Sequence, residues 1–148
     1  MTEARKLQRV GAYGLAVSGG RVLLAQISKS TRGGVGQWML PGGGVEHGEH
    51  PEATLVREFE EETGLSVAVG RLLEIESDQR IVPPHEGTHA DVHTVMLVYS
   101  VTVVGGHPRG EVNGAMTAPS WVRITELDEL PVFDAFRRIL GRLLPLES

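Results

Sequence analysis

A chain of 148 residues, 41% hydrophobic and 22% charged, has the size of one domain with a real core; no apolar run approaches the length that spans a bilayer. A net charge of −5 and a pI near 5.7 argue against polymeric nucleic acid as a partner, because that binding draws on clustered Lys and Arg. The lack of cysteine removes disulfides, thiolate metal ligands and thiol nucleophiles together, and the charged first nine residues, with no hydrophobic signal core behind them, predict a cytoplasmic protein with no membrane partner.

In chain order, residues 10–17 (VGAYGLAV) and 21–27 (RVLLAQI), separated by SGG, read as a hairpin. Residues 28–37 (SKSTRGGVGQ) form a polar, Gly-rich loop. Without the Gly-Lys-Ser/Thr ending of a P-loop it reads as a flexible lid, whose Lys29 and Arg32 either reach a substrate phosphate or stay solvated. Trp38 opens a short apolar segment before Pro41 and three glycines, where we expect it to pack beneath a sharp turn.

Pro51 suits the first turn of a helix and Gly64 the position beyond its end, so a helix is predicted over residues 51–63. At 100° per residue Glu58, Glu61 and Glu62 converge on one side, Leu55, Val56 and Phe59 form the neighbouring apolar stripe, and Glu60 points away from both. A Glu-rich helix is often no more than a solvated face. Here like charges three and four apart repel, and Arg57 is the sole basic residue in the segment, set to pair with Glu61. Converging carboxylates beside a Gly-rich turn suit a hard, oxygen-seeking cation such as Mg²⁺.

Further strands are expected over residues 74–82 and 92–104, with a loop (PPHEGTHAD) between them. The four-residue spacing of His85, His89 and His93 would suggest zinc on a helix, but Pro83 and Pro84 disfavour a helix; His93 is then a strand residue that would face a substrate pocket. A last strand over residues 120–124 leads through TELDELP into an apolar-periodic helix over residues 132–144. Strands interrupted by one helix and closed by another imply an α/β layered domain with a mixed sheet, residues 1–148 forming one unit.

Gly43, Glu49, Arg57, Glu58, Phe59, Glu61, Glu62, Gly64 and Leu65 stand at the spacing of a known signature: a glycine, five residues, a glutamate, seven residues, Arg-Glu, an apolar residue, any residue, Glu-Glu, any residue, glycine and an apolar residue. In this the chain resembles the Nudix hydrolase family; Phe59 stands where the family more often has Leu, Ile or Val. The flanking WMLPGGGVEHGE and WVRITELDELP are similar to the family's usual surroundings of that box. The resemblance implies a Nudix-type α/β/α sandwich with a mixed β-sheet. It also implies Mg²⁺- or Mn²⁺-dependent hydrolysis of a nucleoside diphosphate linked to another group, a small-molecule nucleotide substrate, and room for a homodimer.

On that resemblance, Glu58, Glu62 and the Gly43 carbonyl are expected metal ligands, and Glu61 is a ligand or the base that orients water. Glu49 holds metal-bound water or Arg57, and Arg57 organises the carboxylates. Many relatives recruit one more acid from a later loop; Glu111 is the candidate, against the alternative of an ordinary exposed glutamate, and Asp91 is a weaker one. A nucleotide-sensing module that kept the fold and lost turnover is the competing function. Downstream of the box no subgroup pattern selects among nucleoside triphosphates, sugar nucleotides and ADP-ribose.

Overall fold

The computed structural model describes residues 4–30, 34–85 and 88–144. Its strands are β1 (Arg5–Leu15), β2 (Val17–Ser18), β3 (Arg21–Gln26), β4 (Trp38–Met39), β5 (Gly42–Gly44), β6 (Leu65–His85), β7 (Thr88–Gly106) and β8 (Ser120–Arg123). Among the described residues, two α-helices, α1 (Pro51–Thr63) and α2 (Asp134–Leu143), and a 3₁₀ segment at Ile124–Glu129 accompany the strands. One sheet has the order β5-β1-β7-β6 and is mixed: β1 runs parallel to β7, while β5 and β6 are antiparallel to their neighbours. The second is antiparallel, with β3 pairing β2, β4 and β8.

The expected first hairpin is therefore short. Val17 and Ser18 pair with Val22 and Arg21, but Arg5–Leu15 belongs to the other sheet, the chain crossing at Ala16. Alternation along β1 lets it serve two layers. Tyr13 and Leu15 join Met96, Val98, Phe136, Ile139 and Leu140 in a core closed by α2, whereas Ala12 joins Leu55, Phe59, Tyr99 and Val101 in a core closed by α1. The helices thus cover opposite faces of the mixed sheet, giving the expected α/β/α layering.

Helix α1 begins and ends as its sequence predicts. His50 caps it, Nδ1 accepting from the Glu52 amide at 3.0 Å; Pro51 occupies the first turn; Gly64 takes a left-handed φ of 75° and donates its N–H to the Glu60 carbonyl at 2.9 Å. Leu55 and Phe59 are fully buried, but Val56 is 41% exposed, so the apolar stripe is narrower than periodicity suggested. Trp38 packs partly buried against the α2-side core, and backbone bonds tie it to Pro131 and Phe133. Strand extends well into the segment predicted as the PPHEGTHAD loop: β6 runs 21 residues and β7 19, pairing from Leu65↔Gly106 to His85↔Thr88.

Candidate active site

Three consecutive glycines set the geometry. A Cβ on Gly42 would lie 2.1 Å from the Ala12 carbonyl oxygen and 2.8 Å from the Tyr13 ring; on Gly43, 2.6 Å from the Glu58 carboxylate carbon; on Gly44, 2.7 Å from Arg9 Nη2. Each glycine makes room for a different side chain, one towards α1 and two towards the opposite face. Alanine would be strained at Gly42 by backbone overlap, and at Gly43 or Gly44 it would push aside the end of a flexible side chain.

Arg57 ties the acidic face together. Its Nε and Nη2 each donate to Glu49 at 2.9 Å, a bidentate pair, while Nη1 donates to Glu58 at 2.9 Å and to Glu61 at 3.2 Å. Nη2 also reaches the Gly44 carbonyl at 3.5 Å. Thr54, a buried residue that no sequence pattern singles out, donates its hydroxyl to Glu49 at 2.6 Å and completes the support of that carboxylate. With this clasp the Glu49 carboxyl is drawn down to about 2, chiefly by the bonds from Arg57 and Thr54, and the Arg57 guanidinium holds its proton more tightly still.

The remaining carboxylates are held differently. Glu62 is 7% exposed and accepts from the Gly42 amide at 3.1 Å. Burial pushes its carboxyl well above the usual range, outweighing that bond, and Glu58, Glu111 and Glu61 push the same way. Glu58 is raised by burial against the opposing pull of Arg57. Glu111 is raised by burial and by Glu61, with Arg109 acting against both. The loop acid is therefore electrostatically coupled to the helix acids. Glu60 is exposed, its side chain outside the cluster.

Among the described residues no three acidic or histidine side chains form a ready-made metal cage. The oxygens are present, but Arg57 lies between Glu58 and Glu61. This suits Mg²⁺, which keeps several waters and uses few carboxylates together with substrate phosphates. It does not suit zinc, which wants four close protein ligands. A donor set of oxygens alone, Glu62 buried, Glu58 and Glu111 partly buried, Glu61 exposed, and the Gly43 carbonyl, is chemistry that a hard cation would satisfy.

Beyond the glycines, between the sheets and α2, lies a cavity of about 190 Å³. Arg9, Tyr13, Met39, Asp78, Arg80, Thr94, Phe133 and Phe136 are prominent in its walls. Tyr13 packs edge-on to Phe136 at 5.0 Å, and Arg80 stacks over Phe133 at 3.9 Å while its Nε donates to Asp78 at 3.0 Å. Burial pushes the Tyr13 hydroxyl up to about 12; Arg9 opposes the shift, and Glu62, Glu58 and Asp78 add to it. Tyr13 therefore senses both the acidic face and the cavity, which adjoin.

The other sequence-predicted substrate residues fall elsewhere or outside view. His93 stands one residue out of phase with the cavity-lining Val92 and Thr94; it faces away, within 3.1 Å of Gln8 Nε2 on the sheet's α1 side. Strand alternation was legible there, but which phase met the cavity was not. Lys29 is exposed and lies along the turn after Glu111, Nζ 3.2 Å from a Cβ built on Gly114. Arg32 lies outside the described residues. Arg109, unremarked in the sequence, donates to the Glu60 and Glu61 carbonyls at 2.9 and 3.0 Å and so caps the acidic helix.

A clasped acidic helix against a glycine strand, on a mixed sheet sandwiched by two helices, is an arrangement suited to hydrolysis of phosphate-containing substrates. The family model for the NUDIX domain matches residues 5–144, so the chain belongs to the Nudix family, whose members of this kind are hydrolases. It is 34% identical over 124 residues, 84% of this chain and 79% of the other, to a Mycobacterium tuberculosis protein named provisionally as 8-oxo-dGTP diphosphatase 2. It is 27% identical over 136 residues, 90% and 95% of the two chains, to nucleoside triphosphatase NudI of Escherichia fergusonii. Among solved structures, a MutT NUDIX hydrolase from Burkholderia pseudomallei aligns with a TM-score of 0.70 at 30% identity, covering 93% of this chain and 98% of that one. The MutT protein of Methanosarcina mazei Go1, with a TM-score of 0.75 at 21% identity over 100% and 99%, supports the fold alone.

Proposed function

We propose that the chain, acting as one catalytic domain, is a Mg²⁺-dependent hydrolase of nucleoside diphosphates linked to a further group, with nucleoside triphosphates the first class to test. The observation that carries the reading is the cluster of Glu62, buried with only the Gly42 amide to hold it, and Glu58, half-buried and tied to Arg57, beside Gly43, across the glycine strand from an aromatic-walled cavity. The two curated relatives are named for nucleoside triphosphate substrates. A cavity of this volume is smaller than a whole-ligand pocket and has room for a planar base between aromatic edges.

Glu58, Glu62 and the Gly43 carbonyl, with Glu61, would hold Mg²⁺ or Mn²⁺, which supplies charge neutralisation at phosphate oxygens and lowers the barrier to attack by water. Arg57 keeps Glu49, Glu58 and Glu61 in register rather than touching substrate, since its donors are engaged. Glu61, if it is not a metal ligand, and Glu111 are the two candidates to orient or deprotonate the attacking water. Glu61 is half-exposed, and Glu111, partly buried on its loop, is coupled to it electrostatically. Glu61→Gln and Glu111→Gln, assayed at saturating Mg²⁺, separate these roles: the base should lose about 10²–10⁴-fold in kcat. Near wild-type turnover in both would remove them from the chemistry.

A panel of nucleoside triphosphates, oxidised nucleotides, sugar nucleotides and ADP-ribose, scored as kcat/KM in Mg²⁺, Mn²⁺ or EDTA, tests the function itself. Metal-dependent release of nucleoside monophosphate is the expected result. Nucleotide binding with no release in either metal would instead support a sensing module.

A further inference from the structure

We infer that Arg9 is a phosphate-binding residue, gripping the phosphate next to the nucleoside where a nucleotide passes from the cavity to the carboxylates; the inference rests on the nucleotide reading of the site. A polyanion making that passage meets Asp78 in the cavity and Glu58 and Glu62 beyond the glycine strand, and needs a cation on the way. Most of the nearby cations are engaged. Arg57 is spent on Glu49, Glu58 and Glu61, Arg109 on helix carbonyls, and Arg80 on Asp78 and Phe133.

Arg9 lines the cavity, and among the described residues no carboxylate lies within ion-pairing distance of it. Its Nη2 extends over Gly44, one residue from the glycine that accommodates Glu58. The strand register explains the placement. Arg9 pairs with Thr94 and sits two pairs from Gly11, which opposes Gly44, so its side chain shares the cavity face with Tyr13 and stretches along the sheet towards β5. Gly44 has an ordinary backbone, so its lack of a side chain matters for space: any Cβ there would stand where the guanidinium lies. A planar guanidinium with parallel donors is suited to grip a phosphate by two bonds.

The test uses calorimetry in Mg²⁺ with two probes: the α,β-methylene analogue of the nucleoside triphosphate that the wild type hydrolyses fastest, or of dGTP if none is hydrolysed, and the corresponding nucleoside. Arg9→Gln should weaken the analogue tenfold or more while leaving the nucleoside within twofold. Arg9→Lys should recover at least threefold of the loss, and Gly44→Ala, which displaces the guanidinium, should weaken the analogue as Arg9→Gln does. Unfolding temperatures confirm that each variant is folded. The inference is overturned if Arg9→Gln binds the analogue within twofold of wild type, if analogue and nucleoside weaken equally, if Arg9→Lys is no better than Arg9→Gln, or if the wild type does not bind the analogue. The expected binding pattern in a wild type that hydrolyses nothing would retain Arg9 and discard the hydrolase; hydrolysis with binding unaltered in Arg9→Gln would do the reverse.

Discussion

Glu62 is a carboxylate in a setting that opposes its charge, buried with a single amide donor and three acids nearby. Such a group costs stability when no cation is bound. Its folded proton affinity exceeds the unfolded one, so the native state binds more protons once the pH rises above the ordinary carboxyl value. Stability then falls with rising pH until the folded carboxyl itself titrates. In EDTA, Glu62→Gln should therefore unfold at a temperature higher than wild type by roughly 3–8 °C at pH 8, the gap closing as the pH falls to about 3, where both states are protonated. Thermal unfolding followed by circular dichroism across that range checks it, and a variant less stable at pH 8 would contradict the account. Glu49 has the opposite sign: its carboxyl is held near 2, so its contribution is present above the ordinary carboxyl value and is lost as the pH falls from there towards 2.

Helix α1 concentrates Glu60, Glu61 and Glu62 in its last turn, the end where the helix dipole is already negative, and that turn holds no basic residue of its own. Arg109 does so from the loop after β7, donating to two of the last carbonyls, while its own amide bonds the Thr63 carbonyl at 2.9 Å. Arg109→Ala should cost about 1 kcal/mol, seen as a lower unfolding temperature, and should raise the Mg²⁺ concentration for half-maximal activity because Glu61 and Glu62 stand on the turn it secures. Unchanged values in both would mean that the cap is redundant. Much of this element could be read in advance: Pro51, Gly64 and the spacing of Glu58, Glu61 and Glu62 defined its ends and its acidic side. Strand β5 could not, because Gly42–Gly44 carries no side chains to alternate. The reach of β6 and β7 into the PPHEGTHAD segment was hidden by prolines and a glycine that read as a loop. Arg109 and Thr54 were equally silent: Arg109 acts on backbone carbonyls remote in sequence, and Thr54 on a glutamate just ahead of its own helix, a pairing that no periodic pattern encodes.

Across the whole molecule, the two helices and the sheet between them bring acids from α1 and from the Glu111 loop to one end, and a ligand that neutralises them would couple to folding. Saturating Mg²⁺, at about a hundred times its dissociation constant, would stabilise the wild type by about 2.7 kcal/mol. The shift in unfolding temperature between Mg²⁺ and EDTA should be absent or strongly reduced in Glu62→Gln, and an equal shift in the variant would exclude Glu62 from the metal site. The overall layering followed from the order of strand and helix patterns. The division into two sheets did not, because the break falls at Ala16 within one apolar run, and nothing local marks which sheet each half joins.

The two-sided character of β1 has an evolutionary consequence. Arg9 and Tyr13 belong to the face that lines the cavity, and Ala12 to the face that beds the acidic helix. Alternate positions of the same strand can therefore drift under separate selection. A lineage could be readdressed to a new nucleotide by exchanging residues such as Arg9, Asp78 and Thr94 while the hydrolytic machinery on the other side is inherited unchanged.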